Sequence, residues 1–458
     1  MPRVTHLPTV CVIGAGSSGI AAAKALHQND IPFDCFERSD RVGGNWVYKN
    51  RNGLSAAYRT LHANTSRARM EYPDFPMPGT YPDFPGHTLI AQYFDNYVDH
   101  FGFRDKITFQ TGVEHAAPAA DGTWVVTLDS GSMRRYDALM VANGHHWHAR
   151  WPEPAFAGSD LFAGLQLHSH DYTGEDPSFF CDKRVVVLGM GNSAMDIAVE
   201  ASFSAAAVYL AARRGAWVIP KYMFGRPLDQ ISTRPGVPLP VRQAVFRTLH
   251  RIAVGPMERY GLPKPEHDLL QAHPTISDDI LSRIGHGTVT PKPNIARLTE
   301  HTVVFADGSE VEADIVVYCT GYNVTFPFFD PELISAPGND LPLFRRVFHP
   351  NIPSVFFIGL LQPLGAIMPL AAAQSQWVCE YLTGAYALPG SAALLADMQR
   401  ERDKMFKRYV ASARHTMEVD FDDYLADVMA ERRRGAERAR AQAYRLPVPP
   451  RAAEAVAA

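Results

Sequence analysis

At 458 residues the chain exceeds what one simple core holds, so two or three domains are expected. With 46% hydrophobic and 20% charged residues and a net charge of −4, it has the composition of an ordinary globular protein, which gives no electrostatic ground for a nucleic acid or an anionic membrane as partner. The five cysteines (Cys11, Cys35, Cys181, Cys319, Cys379) form neither a CxxC pair nor a zinc spacing. They read as reduced thiols of a cytoplasmic protein, with no redox disulfide and no metal site.

The first readable element is "TVCVIGAGSSGIAAAKAL" (9–26): an apolar strand, a glycine turn and an Ala-rich helix. It is too short and too soon broken by glycine to be a signal peptide. Gly14 permits the tight turn, Gly16 lets a pyrophosphate approach the backbone, and Gly19 lets helix and strand pack closely. Ala15, Ser17 and Ser18 complete a loop whose amides face that phosphate at the helix N-terminus. Chance alone gives roughly 0.2 such glycine patterns in a chain of this composition, so context decides. Here the next strand, "FDCFER", ends in Glu37 and Arg38, and Glu37 lies 21 residues beyond Gly16. A carboxylate at that place accepts hydrogen bonds from ribose hydroxyls. In "RVGGNWVY" (41–48) the double glycine again brings backbone close to a cofactor, at Gly44, Asn45 and Trp46. Asn64, before Thr65 and Ser66, reads by local chemistry alone as a turn or a helix cap.

A second strand-turn-helix unit follows in "KRVVVLGMGNSAMDIAVEA" (183–201), with Gly189, Gly191 and Ala194 at the three glycine places. Its second strand, "AVYLAA", runs into Arg213 and Arg214, and Arg213 lies 22 residues beyond Gly191. A carboxylate at the strand end repels a ribose 2′-phosphate, whereas a guanidinium binds it by charge-assisted hydrogen bonds. The first fold therefore suits a dinucleotide with a free 2′-hydroxyl, and the second suits NADPH over NADH. FAD and NADPH are the economical pair, a hydride donor and an acceptor that holds electrons.

Two strands, "YDALMVANGHH" ending at Asn143-Gly144 and "EVEADIVVYCTGYN" ending at Thr320-Gly321, look like crossings that insert the second fold into the first. The expected fold class is α/β with two Rossmann-like dinucleotide-binding domains. Expected limits are 1–165 and 291–430 for the FAD domain, 166–290 for the NADPH domain, and 431–458 for a helix fraying into a flexible tail. Within 220–290, Val241, Val245, Leu249 and Ile252 recur at helical spacing. A plain amphipathic helix is the simplest reading; a lid over a substrate channel and a membrane-surface helix are the functional alternatives. The uncharged run between His349 and Glu380 carries four prolines and reads as buried strand, turn and helix rather than a membrane span. That helix would aim its positive end at a flavin's oxygen-reacting edge.

The segment "FAGLQLHSHDY" (162–172) contains Phe162-x-Gly164-x-x-x-His168-x-x-x-Tyr172, for which chance gives roughly 0.003 matches. With "GMGNSAMDIA", "RRGAWVIPK", "TGYNVTFPFF", "GLLQPLGAIMP" and "ARHTMEVDFDDY", it makes residues 8–430 resemble the flavin-containing monooxygenases. The resemblance implies FAD at Gly14 through Gly19, Glu37, Asn45, Trp46, Asn64 and Thr65. It implies NADP at Asn64, at Asn192, Ser193 and Asp196, and at the arginines. It also implies NADPH- and O2-dependent oxygenation of amine or sulfide substrates through a C4a-hydroperoxyflavin, with Asn64 as the active-site amide. Gln362 either lines the flavin face or is a satisfied polar group in its turn. His168 is expected to support the domain junction rather than to act as a metal ligand or catalyst.

A homodimer is a family expectation. The membrane anchor with which eukaryotic relatives often end has no counterpart in this tail. Two alternatives stand beside this reading. A Baeyer–Villiger monooxygenase acts on ketones, but its motif usually ends in Trp where this chain has Tyr172. A flavin NADPH oxidase transfers no oxygen to a substrate.

Overall fold

The computed structural model describes residues 6–231, 237–409, 416–442 and 446–448. The chain forms two compact units, the first built from 1–55, 67–145 and 324–458 and the second from 56–66 and 146–323.

The first unit centres on a five-stranded parallel sheet in the order Val355–Phe357, Ala138–Val141, Val10–Ile13, Phe33–Phe36, Ile107–Thr108. Strands covered on both faces read as continuous apolar runs, and Val10–Ile13 and Ala138–Val141 are buried throughout. The helix Ser17–Gln28 packs with the helix Met368–Leu382. Cys11, Ile13, Leu139 and Phe357 form a core with Trp124, Val126 and the phenylalanines of 326–329. Trp124 and Val126 come from a three-stranded antiparallel sheet, Val113–Pro118, Trp124–Leu128 and Met133–Tyr136. The uncharged run after His349 supplies the strands Val355–Phe357 and Gln362–Leu364 and the helix, as its prolines and glycines require.

The second unit repeats the plan, with parallel strands in the order Thr290–Pro293, Ala207–Ala212, Arg184–Leu188, Ile315–Tyr318, Leu165–His168. The expected limits at 165/166 and 290/291 therefore fall within this sheet, because Leu165–His168, Thr290–Pro293 and Ile315–Tyr318 all complete it. The observed divisions at 145/146 and 323/324 lie a few residues beyond the two predicted crossings. Position 431 falls inside the helix Phe421–Ala441, whose N-terminus Asp420 caps by accepting from the Asp423 amide (3.2 Å). Of the segment 431–458 expected as a helix and a flexible tail, residues 443–445 and 449–458 lie outside the described residues.

The helix Leu239–Ala253 is inside out with respect to its pattern. Val241, Val245 and Ile252 are 51%, 49% and 73% exposed, whereas Arg242, Gln243 and His250 are buried. Gln243 Nε2 donates to the Leu269 carbonyl (3.1 Å), and His250 Nε2 lies 3.0 Å from the Val218 carbonyl with its ring edge-on to Trp217. Irregular backbone packed against the helix needs hydrogen-bonding partners, and that need selects the polar face.

The four residues of the 162–172 motif are structural in this setting. A Cβ on Gly164 would meet the Asp314 carbonyl at 2.6 Å, and Tyr172 stacks on Phe180 at 5.2 Å. His168 is fully buried; its Nδ1 accepts from the His170 amide (3.0 Å), and its ring lies between Trp151 and Tyr322. Burial pulls its pKa down to about 4, with Asp171 opposing, so the ring is neutral at physiological pH.

Candidate functional site

In the first unit Gly14 adopts φ +96°, and a Cβ there would lie 2.8 Å from the Ala142 carbonyl. A Cβ on Gly19 would lie only 1.8 Å from the Gly14 carbonyl, so the helix rests directly on the turn. Gly16 is the residue before the helix, and no side chain caps its first amides. These open amides, with the helix dipole behind them, fit a pyrophosphate. Gly16 faces the backbone of Gly44, which opens the one-turn helix Gly44–Trp46 that carries Asn45. Ser17 accepts at its carbonyl from the Tyr72 hydroxyl (2.5 Å), and Ser18 abuts Gly359 in the turn after Val355–Phe357.

Glu37 is 5% exposed, and its carboxylate accepts from the Ala15 amide at Oε2 (2.7 Å) and the Ser39 amide at Oε1 (2.8 Å). Burial raises its pKa, against the pull of those two amides and of the Arg38 charge. Each carboxylate oxygen keeps a second lone pair, so ribose hydroxyls find acceptors there. The residues present thus fit an adenine dinucleotide with a free ribose diol. Arg38 pairs with Glu114 (3.0 Å). Gln362 is half-buried; its backbone N–H donates to the Met417 carbonyl (2.8 Å), and its side chain makes no hydrogen bond among the described residues.

In the second unit Gly189 adopts φ +143°, and a Cβ there would meet the Cys319 carbonyl at 2.6 Å. The helix Asn192–Ala201 begins after Gly191, again with no side-chain cap, and Ala194 is fully buried. Ser193 sits in this uncapped first turn. The Asn192 side chain is occupied in accepting from the Ile276 amide (2.9 Å). Arg213 and Arg214 are exposed at the end of Ala207–Ala212 and make no ion pair among the described residues. Arg150 adds a third guanidinium, held by the Thr320 carbonyl at 2.7 and 3.1 Å. Its pKa is lowered by burial and then by the Arg213 charge. Three cations without a bonded carboxylate fit a ribose 2′-phosphate. No sequence signal marks Arg150, since its place depends on a contact 170 residues away.

Residues 56–66 belong to the second unit and bring Asn64 and Thr65 with them. The bend at Asn64 is held from both sides: Lys221 Nζ donates to the Ala63 carbonyl (3.1 Å), and Asp229 accepts from the Ser66 amide (2.6 Å). The half-buried Asn64 amide makes no hydrogen bond among the described residues, so it is available to a ligand. Asp196 accepts from the Tyr58 hydroxyl, and burial raises its pKa against Tyr58 and Lys221. Sequence reasoning missed Tyr58, Lys221 and Asp229, although "RRGAWVIPK" ends in Lys221.

The family model described as flavin-binding monooxygenase-like matches residues 8–434. Flavin-containing monooxygenase 5 of Rattus norvegicus is 36% identical over 441 residues, covering 92% of this chain and 81% of its own. The N-oxide-forming dimethylaniline monooxygenase 2 of Mus musculus is 33% identical over 447 residues, covering 92% and 82%. Among solved structures, S-allyl-L-cysteine S-oxygenase from Allium sativum is similar with a TM-score of 0.69 at 24% identity, covering 95% of this chain and 92% of that one. A steroid monooxygenase bound to NADP is similar with a TM-score of 0.71 at 18% identity, covering 94% and 98%, a likeness of fold. The chain belongs to the flavin-binding monooxygenase-like family and is an enzyme of that class. Among the described residues no helix is long and apolar enough to cross a membrane.

Proposed function

We propose that this enzyme takes FAD on its first unit and NADPH on its second and oxygenates the soft nitrogen or sulfur atoms of small amines and sulfides. The observation that carries the reading is the opposite charge at two equivalent strand ends, Glu37 in one fold and Arg213 and Arg214 in the other. When bound, the two cofactors supply the hydride and the activation of O2. The uncapped helix that follows Gly16 holds one pyrophosphate, and Glu37 takes the ribose hydroxyls beside it. The helix after Gly191 holds the other, with Arg150, Arg213 and Arg214 on the 2′-phosphate. Asn64 offers a neutral amide donor to cofactor or oxygen without altering the proton balance. Nitrogen, as a soft nucleophile, is favoured by relatives named for N-oxide formation, and sulfur is grouped with it by the same chemistry. The five unpaired thiols support a cytoplasmic location, and a homodimer is part of the proposal.

Turnover with a thioether, a tertiary amine and a cyclic ketone tests the substrate class. Sulfoxide and N-oxide are the expected products; lactone as the main product would assign the enzyme to ketone chemistry instead.

A further inference from the structure

A cavity of about 480 Å³ lies within the first unit, beside the helix Ser391–Arg408 and the strand Glu418–Asp420. Its edge is the tight turn Phe344–Val347, closed by the Val347 amide on the Phe344 carbonyl (3.1 Å). Both central residues have positive φ, 49° at Arg345 and 63° at Arg346. Such two-residue turns ordinarily use Asn-Gly, and a side chain in the left-handed region is strained. Here the turn sets two consecutive arginines at the cavity edge.

Their environments differ. Arg345 is fully paired, with Nε and Nη2 on the two Asp397 oxygens (2.8 and 2.9 Å) and Nη1 near Asp427 (3.3 Å) and Glu401 (3.6 Å). Among the described residues Arg346 has no carboxylate within bonding distance, Asp340 and Glu401 acting on it from further off, and its one hydrogen bond there is to Met405 Sδ (3.0 Å). Burial pulls its pKa down. The neighbouring charges do not fill the gap. Asp340 is paired with Arg402 (2.6 Å), Asp420 and Asp423 with Arg408 (2.9 and 3.6 Å), and Glu418 is itself partnered. Two further donors at the cavity wall are unused among the described residues. One is the hydroxyl of Tyr409, a residue 7% exposed; the other is Arg408 Nε. The rest of the wall includes Leu343, Leu395, Met398 and Met405.

We propose that this cavity binds a small carboxylate with an apolar tail, the anion taken by Arg346 and the Tyr409 hydroxyl and the tail laid among the leucines and methionines. The Arg346 guanidinium, with no carboxylate in bonding distance, can take one negative charge by charge-assisted hydrogen bonds, and the acids that share the wall, Asp340, Glu401, Glu418, Asp420, Asp423 and Asp427, disfavour a dianion. The volume is that of a small-molecule site, and methionine adapts to tails of varied shape.

The test is calorimetric titration of the FAD-loaded enzyme with octanoate, against octanol, acetate, octylamine and inorganic phosphate. Octanoate is expected to bind, and each comparator about tenfold more weakly or not at all. Arg346→Gln should lose about tenfold in octanoate affinity and Tyr409→Phe several-fold, with flavin content and NADPH oxidation unchanged. Absence of octanoate binding would overturn the proposal, as would octanol binding equally well or phosphate binding more tightly. Unchanged octanoate affinity in Arg346→Gln would do the same. Should that variant fail to fold, Tyr409→Phe and the comparators decide.

Discussion

Asn64 is held where its amide has no partner among the described residues, by the bonds that its neighbours' backbone makes to Lys221 and Asp229 on either side. Replacing it with aspartate exchanges an NH2 donor for a charged acceptor while keeping the shape. Asn64→Asp is therefore expected to oxidise NADPH still but to release hydrogen peroxide in place of oxygenated product. A wild-type product yield per NADPH would remove Asn64 from oxygen transfer. From the residues alone Asn64 read as a turn or cap, and only the family resemblance gave it a role. The anchors that free its amide lie far along the chain and leave no local trace. His168 is the opposite case, conspicuous in sequence and structural in place. Its folded pKa of about 4 lies below the ordinary histidine value, so the unfolded chain binds more protons in between. The stability it contributes is complete above about pH 6.5 and is lost as pH falls through about 4, up to roughly 3 kcal/mol. His168→Asn, which keeps an acceptor for the His170 amide, should flatten the fall in thermal midpoint over that window. An unchanged slope by circular dichroism would contradict this.

The two strand-turn-helix elements share a design but tolerate different third residues. At Gly19 a methyl group has no room beside the Gly14 carbonyl, whereas Ala194 already carries one, fully buried. Gly19→Ala is thus expected to yield protein depleted of flavin, while Gly285→Ala, with open space around it, retains the yellow colour. Equal flavin content in the two would contradict the packing argument. Sequence spacing located both turns but not this difference, which depends on how closely each helix approaches the carbonyl of its own turn. The arginines at the end of Ala207–Ala212 belong to the same scale. Arg213→Ala with Arg214→Ala should raise KM for NADPH about 10–100-fold and leave that for NADH nearly unchanged, as loss of charge-assisted bonds requires. A parallel rise for both nucleotides would point to a positional effect instead. The helix Leu239–Ala253 shows where periodicity misleads: the period was legible, but the buried face was chosen by partners from other segments.

At the scale of the whole chain, both nucleotide folds and the insertion of one into the other were legible, since each strand-turn-helix carries a strong local signature. The limits were less so. Ile315–Tyr318 resembles any buried strand, and only its pairing with Arg184–Leu188 and Leu165–His168 assigns it to the second sheet. Residues 56–66 carry no signal that they leave the first unit for the second. The cavity beside Arg346 was invisible, because charge pairing across three segments decides which arginine is left over. All of this serves one claim, that a single chain carries flavin and NADPH so that oxygen from O2 reaches a soft nucleophile. The direct measurement is the sulfoxide formed from a thioether against the NADPH oxidised by the purified yellow enzyme. The account predicts equal amounts; NADPH oxidation matched by hydrogen peroxide, with no sulfoxide, would contradict it.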